Sequence, residues 1–181
     1  NYRGRAAYKL IEIDNKFQLL KKSNLILDLG CAPGGWLQVI REKNNKAKLI
    51  GIDLIEIDPM DGVEFIQGDF TENSIKDKIL ALTNNNKIDL ILSDIAPSTC
   101  GHKDTDHIRL INIIEDILLF LKANLKENGN FICKVFFGNE LELLKKEYKK
   151  YFKKISFVKP ESSRKESKEQ FMICTNFKEV P

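Results

Sequence analysis

Three acids in this chain stand just beyond short apolar runs: Asp53 after LIGI, Asp69 in FIQGDF, and Asp94 after LILS. An earlier run, LILDL, passes through the turn GCAPGG into a helix-like segment from Trp36. Strand, Gly-rich turn and helix is the way an α/β domain offers its backbone to a nucleotide, and ligands of such sheets sit outside the carboxyl ends of the strands. Gly30, Gly34 and Gly35, with Pro33 among them, permit a close backbone approach. They lack the G-x-G-x-x-G spacing that cradles a pyrophosphate. Asp53 follows Gly30 by 23 residues, which suits a carboxylate that accepts from both hydroxyls of a ribose. Asp69 could accept from an adenine amino group. Either acid alone reads equally well as a helix cap; two in register with a Gly-rich loop read as a site.

A nucleoside ligand without a pyrophosphate fits this pattern, and S-adenosylmethionine is the candidate. Trp36 is balanced between covering that ligand and lying in the core. Lys134 is more unusual, because it lies inside NFICKVFF, a run that reads as a buried central strand. A lysine there is costly unless it is paired or at work; the plain alternative is a lysine that snorkels from a strand end. Burial and neighbouring cations would lower its pKa and suit it to general-base work. Lys9, in YRGRAAYKL, reads on its own as an exposed helix lysine. His102 and His107 match no site pattern and read as loop or helix-start residues. Cys31, Cys100, Cys133 and Cys174 are scattered without a CxxC pair, so they predict neither zinc nor disulfides but small thiols in a reducing compartment.

The elements that must position these groups alternate. Residues 6–22 predict an amphipathic helix, with Ala6, Leu10, Ile13, Phe17 and Leu20 in phase. Strands are predicted at Leu25–Leu29, Lys48–Asp53, Val63–Ile66, Ile88–Ser93, Phe131–Phe136, Lys154–Lys159 and Gln170–Asn176. Pro33 suits the first turn of the helix after the first strand. Further helices are predicted over 107–125 and Leu141–Phe152. This alternation predicts one parallel sheet with helices on both faces. The link between the last two strands is short, charged and without helical period, so the last strand should run antiparallel. Its start then shares an edge with the carboxyl ends of the others.

With 181 residues, 43% of them hydrophobic, the chain suits a single domain with a sizeable core. No apolar run approaches the roughly 20 residues that span a bilayer, so a soluble protein without a membrane partner is expected. Residues 1–22 carry six Lys/Arg against two acids and residues 145–168 ten against three, so the net charge of +3 conceals a remainder of −8, most of it in the middle of the chain. Two basic ends point to a polyanion, although Lys145–Lys154 reads equally well as a solvated helix face. The chain starts at Asn1 rather than Met, as a trimmed or processed chain does. A reducing compartment is expected, the cytoplasm or, if a transit peptide has been removed, an organelle such as the mitochondrion; the sequence does not choose between them.

The blocks YRGRAAYKL, LDLGCAPGGW, GIDL, GVEFIQGDF, LSDIAP, KVFFG and KPESSRKESKEQF run nearly end to end. Together they resemble the FtsJ/RrmJ family of S-adenosylmethionine-dependent RNA 2′-O-methyltransferases. The resemblance implies a Rossmann-like class I methyltransferase fold: a mostly parallel seven-stranded sheet, an antiparallel last strand, and helices on both faces. It implies a Lys-Asp-Lys-Glu tetrad on Lys9, Asp94, Lys134 and Glu169. Cofactor contacts follow at Gly34, Trp36, Asp53, Asp69 and Asp94, to which the loop reading adds Gly30, Pro33 and Gly35. Cys31 departs from the alanine common in relatives. No metal is implied, and the expected partner is RNA, bound by a monomer. Lys134 is then the base for a ribose 2′-hydroxyl or the group that steers its lone pair, with Lys9 lowering its pKa and Asp94 and Glu169 opposing that shift; alternatively it stays charged and stabilises the alkoxide. SDIAP and the compact bacterial-type pattern favour a uridine of large-subunit rRNA. A tRNA anticodon loop is the second target, and an inactive RNA-binding module the reading outside enzymes. Cap methylation lacks an extra cap-binding segment, and a dehydrogenase lacks its fingerprint.

Overall fold

The computed structural model of the chain describes residues 1–95, 103–136, 138 and 140–179. Ala96, Pro97, Cys100 and His102 lie outside the described residues, as does the side chain of His107. The elements are α1 (Ala6–Phe17), β1 (Leu25–Leu29), α2 (Gly35–Lys43), β2 (Lys48–Asp53), β3 (Val63–Gln67) and α3 (Asn73–Leu82), then β4 (Ile88–Ser93), α4 (Lys103–Asn124), β5 (Leu125–Phe136), α5 (Glu140–Tyr148), β6 (Phe152–Val158) and β7 (Glu169–Phe177). The strands form one sheet in the order β3-β2-β1-β4-β5-β7-β6. Only β7 is reversed: it is antiparallel to both β5 and β6. The ten residues between β6 and β7 are too few for a crossover helix, so the chain turns back as a hairpin.

Period-two alternation divides the sheet into two buried faces. Leu27, Ile91, Phe131, Cys133, Val135 and Met172 point to the side covered by α3, α4 and α5. Ile26, Leu90, Leu92, Ile132, Phe171 and Ile173 point to the side covered by α1 and α2. Cys31, Cys133 and Cys174 are buried free thiols. Burial pushes the Cys133 thiol up to about 12, so it stays protonated.

Several boundaries differ from the periodicity. The first helix ends at Phe17 rather than at residue 22, because Gln18 turns left-handed and the buried Asp14 carboxylate takes the N–H groups of Leu19 (2.9 Å) and Leu20 (3.0 Å). Gly34, with φ of 119°, interrupts the helical path after Pro33. Pro33 therefore lies in the turn, and α2 starts at Gly35. β5 begins at Leu125, six residues early, where its pairing with β4 shifts register. α4 begins at Lys103 rather than residue 107. α5 stops at Tyr148; Phe152 keeps the helical spacing but pairs with Phe177 as the first residue of β6.

Asp14→Ala leaves two buried N–H groups without an acceptor. It should lower stability by about 2–4 kcal/mol, measured by urea unfolding, with Asp14→Asn milder because its carbonyl still accepts.

Candidate active site

Asp94, Lys134 and Glu169 reach one place because they share the parity of the α1-covered face. Lys134 follows Ile132 by two in β5, Asp94 follows Leu92 by two, and Glu169 precedes Phe171 by two. The reversal of β7 sets Glu169 opposite Phe136, at the carboxyl end of β5. Lys134 Nζ lies 3.0 Å from Asp94 Oδ1 and 3.5 Å from Glu169 Oε2. From α1 above, Lys9 Nζ lies 2.6 Å from Glu169 Oε1. Two ammonium groups and two carboxylates thus form one charge-balanced, largely buried cluster.

Burial is the largest single influence on Lys134 and pushes its pKa down. Asp94 and Glu169 together push it up by more, so the net shift is upward. Of the opposing influences that the sequence leaves unsummed, the close carboxylates prevail and hold the proton on, and Lys9 is drawn to Glu169. Burial raises Asp94, Lys134 opposes and Glu169 adds to the rise, and the net shift is upward as well.

Beside the cluster lies a cleft of about 420 Å³ at the carboxyl ends of β1, β2, β3 and β4. Gly30, Asp53, Asp69 and Asp94 line it, as the sequence reading expects. Gly30 has φ of +72°, and a Cβ there would lie 2.5 Å from Ile95 Cγ1, so only glycine fits. Asp53 holds the loop: its Oδ2 accepts from the Ala32 N–H at 2.8 Å and its Oδ1 from the Ile55 N–H at 3.0 Å. Each oxygen keeps a lone pair for a ribose hydroxyl. Asp69 Oδ1 is taken by the N–H and hydroxyl of Thr71, so this acid caps a turn and also faces the cleft.

The loop residues divide. Pro33, Gly35 and Trp36 border a smaller adjoining cavity rather than the main cleft. Gly34 borders neither and packs near Met60 and Arg3. The Trp36 ring packs in the core. It is 3% exposed, tilts against Phe171 and donates to the Ala6 carbonyl at 2.8 Å. It thereby fastens the start of α1, and so Lys9, to α2. The sequence reading missed Leu54, Phe70, Thr71, Ile113 and Asp116, which also line the cleft. Phe70 sat inside a quoted motif; Ile113 and Asp116 of α4 gave no local signal, since only the sheet brings that helix over β4.

Asp28 is the acid of the LILDL run, one residue before the end of β1. It is fully buried on the cluster's face, and neither oxygen has a hydrogen-bond partner among the described residues. Burial, then Asp94 and Asp53, push its pKa well up. A carboxyl whose pKa is higher in the folded state stabilises the fold at low pH, and that contribution is lost as pH rises above the ordinary carboxylate range of about 4. Asp28→Asn should therefore gain stability relative to the parent as pH rises from about 4 towards neutrality, read by urea unfolding across a pH series. A constant difference would show that Asp28 does not titrate with folding.

A family model described as FtsJ-like methyltransferase matches residues 2–177. A protein named ribosomal RNA large subunit methyltransferase E from Francisella tularensis subsp. novicida is 45% identical over 178 residues, covering 98% of this chain and 86% of the relative. The protein of that name from Zymomonas mobilis is 44% identical over 177 residues, covering 98% and 80%. Among solved structures, a candidate ribosomal RNA methyltransferase from Plasmodium falciparum superposes with a TM-score of 0.88 at 38% identity, over 97% of this chain and 98% of that one. Human methyltransferase-like protein 13, solved with SAH, shares the fold alone, with a TM-score of 0.63 at 14% identity over 93% and 79%. The loop, the acids at the strand ends and the Lys-Asp-Lys-Glu cluster all lie inside the matched span, and the chain belongs to the FtsJ-like methyltransferase family.

Proposed function

We propose that this chain uses S-adenosylmethionine to methylate a ribose 2′-hydroxyl of RNA, at a uridine of large-subunit ribosomal RNA. The observation that carries the proposal is the Lys134 ammonium, 3.0 Å from Asp94 and 3.5 Å from Glu169, with Asp94 itself lining a cleft of about 420 Å³. The names of the relatives support the ribosomal target.

The residues present fit the cofactor. Asp53 has a free lone pair on each oxygen for the ribose, and Asp69, which also lines the cleft, would accept from the adenine amino group. The first N–H groups of α2, at Gly35 and Trp36, have no partner within the helix and suit a carboxylate. When bound, S-adenosylmethionine supplies a methyl group already activated on a sulfonium. Lys134 donates to the target 2′-oxygen and turns its remaining lone pair towards the methyl. Alignment of this kind can supply about 7–11 kcal/mol of the barrier. The same ammonium stabilises negative charge on that oxygen. Asp94, whose affinity for a proton is raised, accepts the hydroxyl proton as the new bond forms. Glu169 holds Lys134 from the other side, and Lys9 holds Glu169.

Lys134→Ala should reduce methyl transfer by about 10²–10³-fold or more while calorimetry finds cofactor affinity near that of the parent. Asp53→Ala should do the reverse, weakening cofactor binding by about 10–100-fold through lost charged hydrogen bonds. If both variants lost binding and turnover together, the two halves of the site would not be separate. The target is tested by mapping 2′-O-methyl groups in total RNA with and without the enzyme. A new mark in large-subunit rRNA is expected. A mark in tRNA alone would replace the ribosomal target, and no labelled-methyl transfer to any RNA would leave an RNA-binding module.

A further inference from the structure

The basic tract 145–168 does not lie in one place. β6 runs parallel to β5, with Phe152 opposite Phe177 and Val158 opposite Phe171. Its start is therefore at the sheet edge remote from Glu169 and its end is beside that residue. Lys145, Lys146, Lys149, Lys150, Lys153 and Lys154, in and after the last turn of α5 and at the start of β6, belong to the remote edge. The seven residues of β6 span about 20 Å between the two edges. Only Lys159, Arg164, Lys165 and Lys168 reach the edge that carries the Lys9–Glu169 pair.

The β6–β7 connection that holds them is a built structure. Glu12, one turn beyond Lys9 on α1, accepts from the backbone N–H of Glu161 at 2.6 Å and of Ser162 at 2.9 Å. Lys159 Nζ reaches across the loop to the carbonyls of Lys165 (3.2 Å) and Ser167 (2.6 Å). The Ser167 hydroxyl accepts the Glu169 N–H. Lys159 is consumed in this way, whereas Arg164, Lys165 and Lys168 are exposed. Among the described residues none of the three makes an ion pair, and neither does Arg5 just before α1.

We infer that this connection, latched to α1 by Glu12 and joined by Arg5, grips the RNA phosphates flanking the target ribose, and that the denser tract Lys145–Lys154 does not. The inference rests on the RNA reading proposed above. The strand whose ribose meets Lys134 passes directly over the connection, and its neighbouring phosphates cannot reach cations about 20 Å away.

The experiment compares three variants by fluorescence anisotropy against a labelled fragment of large-subunit rRNA over a salt series. Arg164→Glu/Lys165→Glu/Lys168→Glu should bind at least about tenfold more weakly, with a shallower salt slope by about 2, near 0.7 per lost phosphate contact. Lys145→Glu/Lys149→Glu/Lys153→Glu should bind within about twofold of the parent despite the same change in net charge. Equal weakening, or weakening only in the second variant, overturns the inference. Glu12→Ala separates geometry from charge: it removes an acid, so loss of repulsion alone would tighten binding, and a released connection weakens it. Unchanged or tighter binding removes the latch. These readouts do not use catalysis, so failure of the methyl-transfer reading would show separately, as absent labelled-methyl transfer by the parent protein.

Discussion

An ammonium group inside a sheet must be neutralised, and the active edge of this protein is arranged around that requirement. Desolvating an ion costs several kcal/mol even after relaxation, and Lys134 recovers it from two carboxylates, Asp94 and Glu169. Two carboxylates against one ammonium would leave a buried negative charge. Lys9 removes the excess by bonding Glu169 from the helix above. Loss of any one member leaves an uncompensated charge at the same place.

The balance constrains the fold as much as the chemistry. Glu169 reaches the cluster only because β7 runs against its neighbours, and Lys9 only because α1 lies across the face on which Lys134 emerges. The Trp36 indole, which donates to the Ala6 carbonyl, ties that helix to α2. α2 in turn grows from the loop that Asp53 holds through Ala32. The Gly-rich loop and α1 are therefore one mechanical unit, joined through an aromatic side chain that packs in the core.

The same electrostatics bear on the proposed activation of a hydroxyl. A free-amine base requires burial to win over the carboxylates, and it does not: the net shift at Lys134 is upward. In the reaction proposed above, the charged lysine would orient and stabilise the hydroxyl oxygen, and the proton would pass to Asp94, whose affinity for it is raised by burial. Since the methyl donor is already activated, strong base chemistry is not needed; alignment and charge stabilisation carry the barrier.

Much of this was legible along the chain. Local pattern revealed the strand–loop–helix at Leu25–Trp36, the acids at the strand ends and the misplaced Lys134, because each is a departure from what its own segment should contain. The period of two also carried the information that Asp94, Lys134 and Glu169 share a face. Lys9 and Glu169 became candidates through family resemblance, since on its own segment Lys9 is an ordinary helix lysine. Boundaries were blurred where a side chain from elsewhere in the turn overrode the period, as Asp14 does after Phe17 and Phe152 does by joining a strand. Trp36 could not be assigned, because a ring beside a turn packs inward or outward according to what covers it. The amino-acid order determined the strand types, the acids at the strand ends and the reversal of β7, all of which follow from spacing and link length. Only the tertiary structure decided the direction of the lysine's pKa shift, the α4 residues of the cleft, and which basic residues share the active edge. Each of those depends on distances between segments remote in sequence, and charge interactions are set by distance and burial rather than by order along the chain.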